Sequence, residues 1–135
     1  PLCVVDLDTV MPGTVLFDFG DMMRTMLCPA AEDERDLSRV RINPELFEGL
    51  ARGYLVAARQ YLTQAERDRL VTAGLVITYE QGIRFLTDYL QGDQYYQTTR
   101  TAQNLDRCRL QFALLAQLEE HRADLESVVE MNKPS

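Results

Sequence analysis

Four aspartates lie close together near the start of the chain, and their spacing predicts a site for a metal ion. They are Asp6, Asp8, Asp18 and Asp21. The first two end an apolar run, residues 2–7, that predicts a short buried strand. Carboxylates at the end of such a strand suit a hard cation such as Mg²⁺, which prefers oxygen ligands. We therefore expect the chemistry of this chain to lie here.

Length, composition and charge limit the classes of protein to which the chain can belong. Its 135 residues predict one domain or part of one, and 46% of them are hydrophobic, enough for a packed core. The net charge is −7, without a run of Lys or Arg, which argues against a nucleic-acid-binding surface. No stretch approaches the ~20 apolar residues of a membrane span, and no signal peptide is visible. We therefore expect neither a nucleic-acid nor a membrane partner.

The cysteines indicate the redox environment of the chain, and the first residue indicates whether the chain is part of a longer protein. Cys3, Cys28 and Cys108 are odd in number and widely spaced, a pattern that predicts neither a disulfide framework nor a metal site. We expect buried or half-buried thiols in a reducing cytoplasm. Because the chain begins with Pro1 inside a predicted strand, we interpret it as part of a longer protein.

After the first strand, the sequence predicts four or five helices. Val15–Phe17 is either a second short strand or a turn into the first helix. That helix is expected to begin at Asp18, with this residue as N-cap, and to end near Leu27. Residues 30–40 are rich in charge and predict a solvated loop.

Capping signals and helical periodicity place the later helices. A helix begins at Asn43-Pro44-Glu45, and the capping box from Thr63 to Glu66 begins a long central helix that ends at Gly92. A polar loop with two tyrosines follows, and the last long helix begins at about Thr101. The expected bounds are 43–62, 63–92 and 101–118, with a continuation or restart toward residue 129.

Several stretches resemble the aminoglycoside phosphotransferase and choline kinase superfamily. Val5-Asp6-Leu7-Asp8, followed by Phe17-Asp18, is similar to its metal-binding end. Asp6–Gly13 with Asp18–Asp21 looks most like the N-acetylhexosamine 1-kinases, which phosphorylate the anomeric hydroxyl of GlcNAc or GalNAc with ATP. Two later stretches are also similar to that family, Gly82–Asp93 and Asn104–Arg109.

The resemblance implies a mainly α fold, the helical C-terminal lobe of a protein-kinase-like enzyme with a short N-terminal β element. Residues 1–135 would form a single partial domain. The family's ATP-binding lobe and its His-x-Asp catalytic loop would precede this chain, which contains only His121 and no His-x-Asp. The resemblance thus implies that the catalytic base lies outside the chain, that the missing lobe holds most of the ATP and is a partner, and that the chain alone is inactive.

The same resemblance assigns roles to the acidic residues. Asp6 matches the Mg²⁺-binding aspartate, although a strand-end aspartate can instead cap the following turn. Asp8 matches a second acidic position near the metal, with a supporting or turn role as the alternative. Asp18 begins an Asp-Phe-Gly sequence that spells the metal motif of protein kinases, but it matches a buried structural aspartate that supports the catalytic loop. Asp21 and Arg24 are expected to form a surface or intrahelical pair, with a contact of either residue to the sugar as the alternative.

Arg84 and Tyr95 are the residues that the resemblance assigns to the acceptor sugar. Arg84 lies on an apolar helix and needs a partner, which is either sugar oxygens or Asp88 at i+4. Tyr95 either stacks on a sugar or packs against the protein. The polar edge Asn104–Arg107 is expected to be structural and to contact the Tyr95 loop.

Two other functions remain open at this point. One is a different small-molecule kinase of the superfamily, acting on an aminoglycoside, choline or homoserine. The other is a non-catalytic helical interaction module, in which the acidic strand end serves only to form a turn.

Overall fold

The computed structural model describes Cys3 and residues 10–132, and this part of the chain is mainly helical, as predicted. It forms six α-helices and one short 3₁₀-helix, with no strand among the described residues. Apart from Cys3, the predicted strand at residues 2–7 lies outside the described residues. Asp6 and Asp8 lie outside them as well. The helices are α1 Val15–Met26, α2 Pro44–Ala57, α3 Gln64–Arg67, α4 Leu70–Leu90, α5 Gln103–Glu120 and α6 Arg122–Met131, and the 3₁₀-helix is Leu37–Arg39.

Helix α1 begins earlier than the sequence predicted. Thr14 is its N-cap, and the Thr14 hydroxyl accepts the backbone N–H of Leu16 at 3.3 Å. Val15–Phe17 is therefore helical rather than a strand, and Asp18 lies inside the first turn, so its prediction as N-cap was wrong. The end of the helix at Leu27 agrees with the prediction.

The capping signals of the later helices were read correctly, but two bounds differ. The Asn43 side chain accepts the backbone N–H of Glu45 at 2.9 Å and caps α2, which ends at Ala57 rather than near residue 62. The capping box between Thr63 and Glu66 forms, yet it begins only the short helix α3. A break at residues 68–69 separates α3 from the long α4, whose first residue, Leu70, is buried in the core.

Helix α4 is central and packs against both α1 and α5. The predicted central position is confirmed, but part of the helix surface is not covered by the described residues. Large apolar side chains are exposed there: Val76, Tyr79, Ile83 and Leu90. Helices α2 and α6 complete the core, which contains Phe19, Phe47, Leu55, Leu70, Leu114 and Leu125.

The Asp-Phe-Gly sequence in α1 packs the helices together. Phe19 is fully buried in the core. A Cβ atom on Gly20 would lie 2.7 Å from the backbone oxygen of Ala73, so α1 and α4 approach closely only because this residue is glycine. On the facing helix, a Cβ atom on Gly74 would lie 2.5 Å from the sulfur of Met23. Phe19 and Gly20 thus have a packing role that accounts for their presence.

The charged segment 30–40 is irregular apart from its 3₁₀-helix and is fastened to the start of α5. Arg100 forms ion pairs with Asp33 and with Asp106. The Gln103 amide also donates to the Asp33 carboxylate at 2.9 Å. These contacts hold the first part of the segment beside the loop that precedes α5.

The three cysteines differ in exposure, and the described helices do not meet the requirements of a membrane span. Cys108 is buried, where burial raises the pKa of its thiol despite the nearby charge of Arg109, and Cys28 is half-buried. Cys3 is exposed, so the prediction of burial was wrong for this residue. Within the described residues, none of the helices combines the length and apolar character needed to cross a membrane.

Candidate functional site

The segment between α4 and α5, residues 91–102, carries Tyr95 and Tyr96 and is called here the tyrosine loop. Both of its ends contain backbone in the left-handed region: Gly92 (φ 90°) and Asp93 (φ 56°) at the start, and Ala102 (φ 58°) at the end. Glycine adopts this conformation without cost and aspartate tolerates it, whereas for alanine it is strained. The path of the loop is therefore imposed by contacts with the rest of the protein.

The carboxylate of Asp88, in the last turn of α4, supplies most of those contacts. Its Oδ1 atom accepts the backbone N–H groups of Gln94 at 2.9 Å and Tyr95 at 2.8 Å. Its Oδ2 atom accepts the backbone N–H of Tyr96 and the side-chain amide of Asn104, both at 2.9 Å. Asp88 is only 4% exposed, and its four donors match the acceptor capacity of an ionised carboxylate.

The ionised state of Asp88 is favoured although the residue is buried. Burial raises the pKa of the Asp88 carboxyl, but the backbone N–H groups of Tyr96, Tyr95 and Gln94 lower it by more. The pKa therefore lies below the ordinary value of 3.8. The tyrosine loop is thus held by a charged group throughout the neutral range.

Asn104 and Arg107, on the first turns of α5, hold the other side of the loop. The buried Asn104 amide also donates to the Asp93 carboxylate at 2.9 Å. Arg107 Nη1 donates to the Asn104 side-chain oxygen at 2.8 Å and to the backbone oxygen of Gln97 at 3.1 Å. The predicted contact between this polar edge and the Tyr95 loop is confirmed.

Arg84 lies beside the two tyrosine rings. Its guanidinium carbon is 5.9 Å from the ring centroid of Tyr95 and 5.8 Å from that of Tyr96, within the range of a cation–π interaction. The alternative pair with Asp88 does not form, because that carboxylate is already occupied by the N–H donors of the loop. Among the described residues, no carboxylate is within ion-pair distance of Arg84.

Arg84, Tyr95 and Tyr96 line two open clefts. The smaller has a volume of about 310 Å³ and is completed by Thr87, Asp88 and Gln91. The larger, of about 400 Å³, also contains Arg24, Glu32, Gln81, Phe85, Gln97 and Arg107. Both volumes suit a small molecule. Aromatic faces and arginine donors together can bind a compound with an apolar face and several oxygen acceptors.

The structure does not describe the two residues predicted to bind a metal. Asp6 and Asp8 lie outside the described residues. Over Cys3 and residues 10–132, no three side chains of the types that bind metals gather in one place. Asp21 pairs with Arg24 (Oδ1 to Nε, 2.8 Å), which confirms the intrahelical pair predicted for these residues.

Asp18 differs from its prediction in one respect. It was expected to be buried, but its side chain is exposed on the first turn of α1. The helix begins at Val15, and this register directs Phe19 rather than Asp18 into the core. Burial raises the pKa of the Tyr54 hydroxyl, and the negative charge of Asp18 raises it further. Among the described residues, none donates a hydrogen bond to Asp18.

Sequence reasoning missed several residues of the site. Asp88 was considered only as a partner of Arg84, and Glu32 and Arg107 were not assigned to a cleft. Arg24 was considered for the sugar site, but only as the alternative to its pair with Asp21. The signal for Asp88 was present in part, because an acidic residue one turn before Gly92 can accept the N–H groups of a following turn. Nothing in the spacing of Arg24, Glu32 and Arg107 shows that they meet.

No model of a known protein family matches the chain. Assignment to a family therefore depends on the resemblance of the motifs described above. The geometry around Arg84 and Tyr95 is an independent observation, since the contact between these residues does not follow from their spacing.

Proposed function

We propose that the chain is the C-terminal, substrate-binding part of an ATP-dependent sugar kinase that acts on the anomeric hydroxyl of N-acetylhexosamines such as GlcNAc or GalNAc. The observation that carries this proposal is the contact between Arg84 and Tyr95, the two residues that the resemblance assigns to the acceptor. They lie side by side on the walls of two clefts, as a sugar-binding pair requires.

The proposed roles follow from the chemistry of the side chains. The exposed guanidinium of Arg84 donates hydrogen bonds to hydroxyl or acetamido oxygens of the sugar. The ring of Tyr95 covers the apolar face of the sugar ring, and its hydroxyl is a further donor. Asp88 positions Tyr95 by binding its backbone N–H, without contacting the sugar in this account.

The remaining parts of the catalytic machinery are proposed from the resemblance. Asp6 and Asp8 would hold Mg²⁺ together with a ligand from outside this chain. Bound there, Mg²⁺ would neutralise charge on the transferred phosphoryl group of ATP. Asp18 would accept hydrogen bonds from the catalytic loop, a role open to an exposed carboxylate. The proposed enzyme acts in the cytoplasm.

An exposed apolar face supports the proposal that a further lobe packs on this chain. Phe17 of α1 is 56% exposed and lies with Val76 in a small apolar cleft. Tyr79 and Ile83 continue the exposed face along α4. The N-terminal lobe of the proposed kinase would pack on this face.

The same face also favours the second candidate, a non-catalytic helical interaction module. In that case the apolar face of α1 and α4 binds another protein, and the pair of Arg84 and Tyr95 has only a packing role. The two candidates differ in whether substitution at Arg84 affects the binding of a sugar.

The test is an activity assay of the complete protein to which the chain belongs, with ATP, Mg²⁺ and a panel of acceptors. The proposal expects phosphorylation of GlcNAc or GalNAc at the anomeric position, identified by ³¹P NMR. Turnover of choline, homoserine or an aminoglycoside instead would reassign the substrate within the superfamily. No turnover of any acceptor by the folded protein would favour the interaction module.

A further inference from the structure

The larger cleft gathers positive charge in a chain whose net charge is −7. Arg24, Arg84 and Arg107 all line it, together with the single carboxylate of Glu32. The side chains of Arg24 and Arg107 are only 12% and 16% exposed, so two of the three cations are largely removed from water. Such groups require compensating negative charge.

Glu32 compensates this charge incompletely. Its Oε1 atom lies 3.5 Å from Arg24 Nη1 and its Oε2 atom 3.5 Å from Arg107 Nε, at the outer limit of hydrogen-bond distance. The buried Arg107 Nε has no hydrogen-bond partner among the described residues. A guanidinium paired tightly with a carboxylate would have contacts of about 2.7–2.9 Å.

The other cations are only partly balanced. Arg24 Nε is bound by Asp21 at 2.8 Å, which leaves its remaining donors for the cleft. Arg84 has no carboxylate partner among the described residues and faces the same space. Among the described residues, the three arginines thus have only two carboxylates within ion-pair distance, Asp21 and Glu32.

We propose that this cleft binds an anionic group, a phosphate or a carboxylate, carried by a small ring compound of hexose size. The anion replaces Glu32 between Arg24 and Arg107 and also receives donors from Arg84. The ring lies against Tyr95 and Tyr96. This function goes beyond the phosphorylation of a neutral N-acetylhexosamine, which requires no anion site at this position.

A ligand can displace the Glu32 side chain from its position between Arg24 and Arg107. Its side chain is 47% exposed, and its two contacts are long. The next residue, Asp33, is held separately by Arg100 and Gln103, so displacement of Glu32 does not require the segment to detach. The Glu32 carboxylate therefore acts as an internal competitor for the anionic ligand.

Two further polar groups of the cleft suit the ring of such a ligand. Gln81 Nε2 and the hydroxyl of Tyr96 are 3.1 Å apart, and both line the cleft. Gln81 donates in this contact, so the Tyr96 hydroxyl keeps its own proton to donate to a ring hydroxyl. The volume of about 400 Å³ accommodates a monosaccharide with its charged substituent.

The test is calorimetric titration of the full 135-residue chain at low salt with four probes: GlcNAc, GlcNAc 6-phosphate, glucuronate and inorganic phosphate. We expect GlcNAc 6-phosphate or glucuronate to bind at least ten-fold more tightly than GlcNAc, and binding to weaken with added salt. Preference between these two identifies phosphate or carboxylate as the natural group. Inorganic phosphate should bind more weakly than the charged sugar, because it lacks the ring.

Variants distinguish this cleft from unspecific attraction. Arg84→Gln and Arg107→Lys should each weaken binding of the charged sugar about ten-fold, whereas Glu32→Gln should strengthen it several-fold by removing the competitor. Arg52→Gln, at an exposed position of α2, removes the same charge elsewhere and should have no effect. Circular dichroism verifies that each variant is folded, and Arg84→Gln provides the test at an exposed side chain if Arg107→Lys is unstable.

The inference is overturned if neutral GlcNAc binds as tightly as the charged sugars, if inorganic phosphate binds equally well, or if folded Arg84→Gln binds unchanged. It is also overturned if no probe binds. Turnover of GlcNAc by the complete protein is a separate measurement: turnover without a preference for charged sugars would overturn this inference alone, and that preference without turnover would overturn the kinase function alone.

Discussion

The Oδ1 atom of Asp88 accepts the backbone N–H of Tyr95 at 2.8 Å, so the last turn of α4 directly positions the residue at the centre of the candidate site. The same carboxylate binds the N–H of Tyr96. Because Arg84 lies one turn earlier on the same helix, its guanidinium and the two rings are fixed relative to one another. The relative positions of Arg84, Tyr95 and Tyr96 therefore depend on the hydrogen bonds between Asp88 in α4 and the tyrosine loop.

Replacing Asp88 by asparagine should loosen the tyrosine loop. An amide can accept with its oxygen, but its NH₂ group would face N–H donors at the other position, so at least one donor loses its partner. We expect a lower midpoint of thermal unfolding and faster hydrogen exchange at residues 94–96. Asp124→Asn is the control, since it makes the same change at an exposed position of α6. Equal protection of residues 94–96 in both variants would contradict this role of Asp88.

The contribution of Asp88 to stability should depend on pH in a defined direction. Its pKa in the folded protein lies below the ordinary value of 3.8, so the folded state favours the ionised form. The stabilisation is complete above the ordinary pKa and is lost as the pH falls through the lower folded value. Urea unfolding should therefore show a constant difference between wild type and Asp88→Asn above about pH 5 that shrinks in acid. A difference that grew on acidification would have the wrong sign.

Two phenylalanines in α1 provide a matched pair for the core. Phe19 is fully buried against Phe47 and Tyr54, whereas Phe17 is 56% exposed. Phe19→Ala should lower the free energy of unfolding by about 3–5 kcal/mol, because it leaves a cavity. Phe17→Ala should lower it by less than about 1 kcal/mol in this chain. Similar losses for the two variants in chemical denaturation would mean that the register of α1 is wrong.

Two glycines test the close approach of α1 and α4. A Cβ at position 20 would meet the backbone of Ala73, whereas one at Gly49 on α2 has no atom within 4 Å. Gly20→Ala should therefore destabilise the chain by about 1–3 kcal/mol through overpacking. Gly49→Ala should stabilise it by up to about 1 kcal/mol through helix propensity. Denaturation curves of both variants decide the point, and stabilisation by Gly20→Ala would contradict the packing described here.

Local signals in the sequence predicted the parts of the fold that depend on local chemistry. The caps at Asn43 and Thr63 and the stop at Gly92 were found because each satisfies helix-end groups with its immediate neighbours. The start of α1 was misplaced because Thr14 and Asp18 are both residue types that cap helices well. The earlier start, with Thr14 as N-cap, is compatible with burial of Phe19 in the tertiary core. The break before Leu70 likewise depends on the core and has no local signal.

The site shows the same division between local and tertiary information. Arg84 and Tyr95 were predicted from a resemblance, but their contact depends on the bend at residues 92–93 and on Asp88. The meeting of Arg24, Glu32 and Arg107 joins three separate parts of the chain, so no periodicity or spacing predicts it. Asp6 and Asp8, the first candidates in the sequence, remain a prediction.

The central claim is that Arg84 binds the acceptor sugar, and steady-state kinetics of the complete protein with Arg84→Gln test it most directly. We predict a rise of about ten-fold or more in the KM for GlcNAc, since a hydrogen bond from a charged group is lost, with the KM for ATP unchanged. Arg52→Gln serves as the control for loss of charge. An unchanged KM for GlcNAc in the folded Arg84→Gln protein would contradict the account.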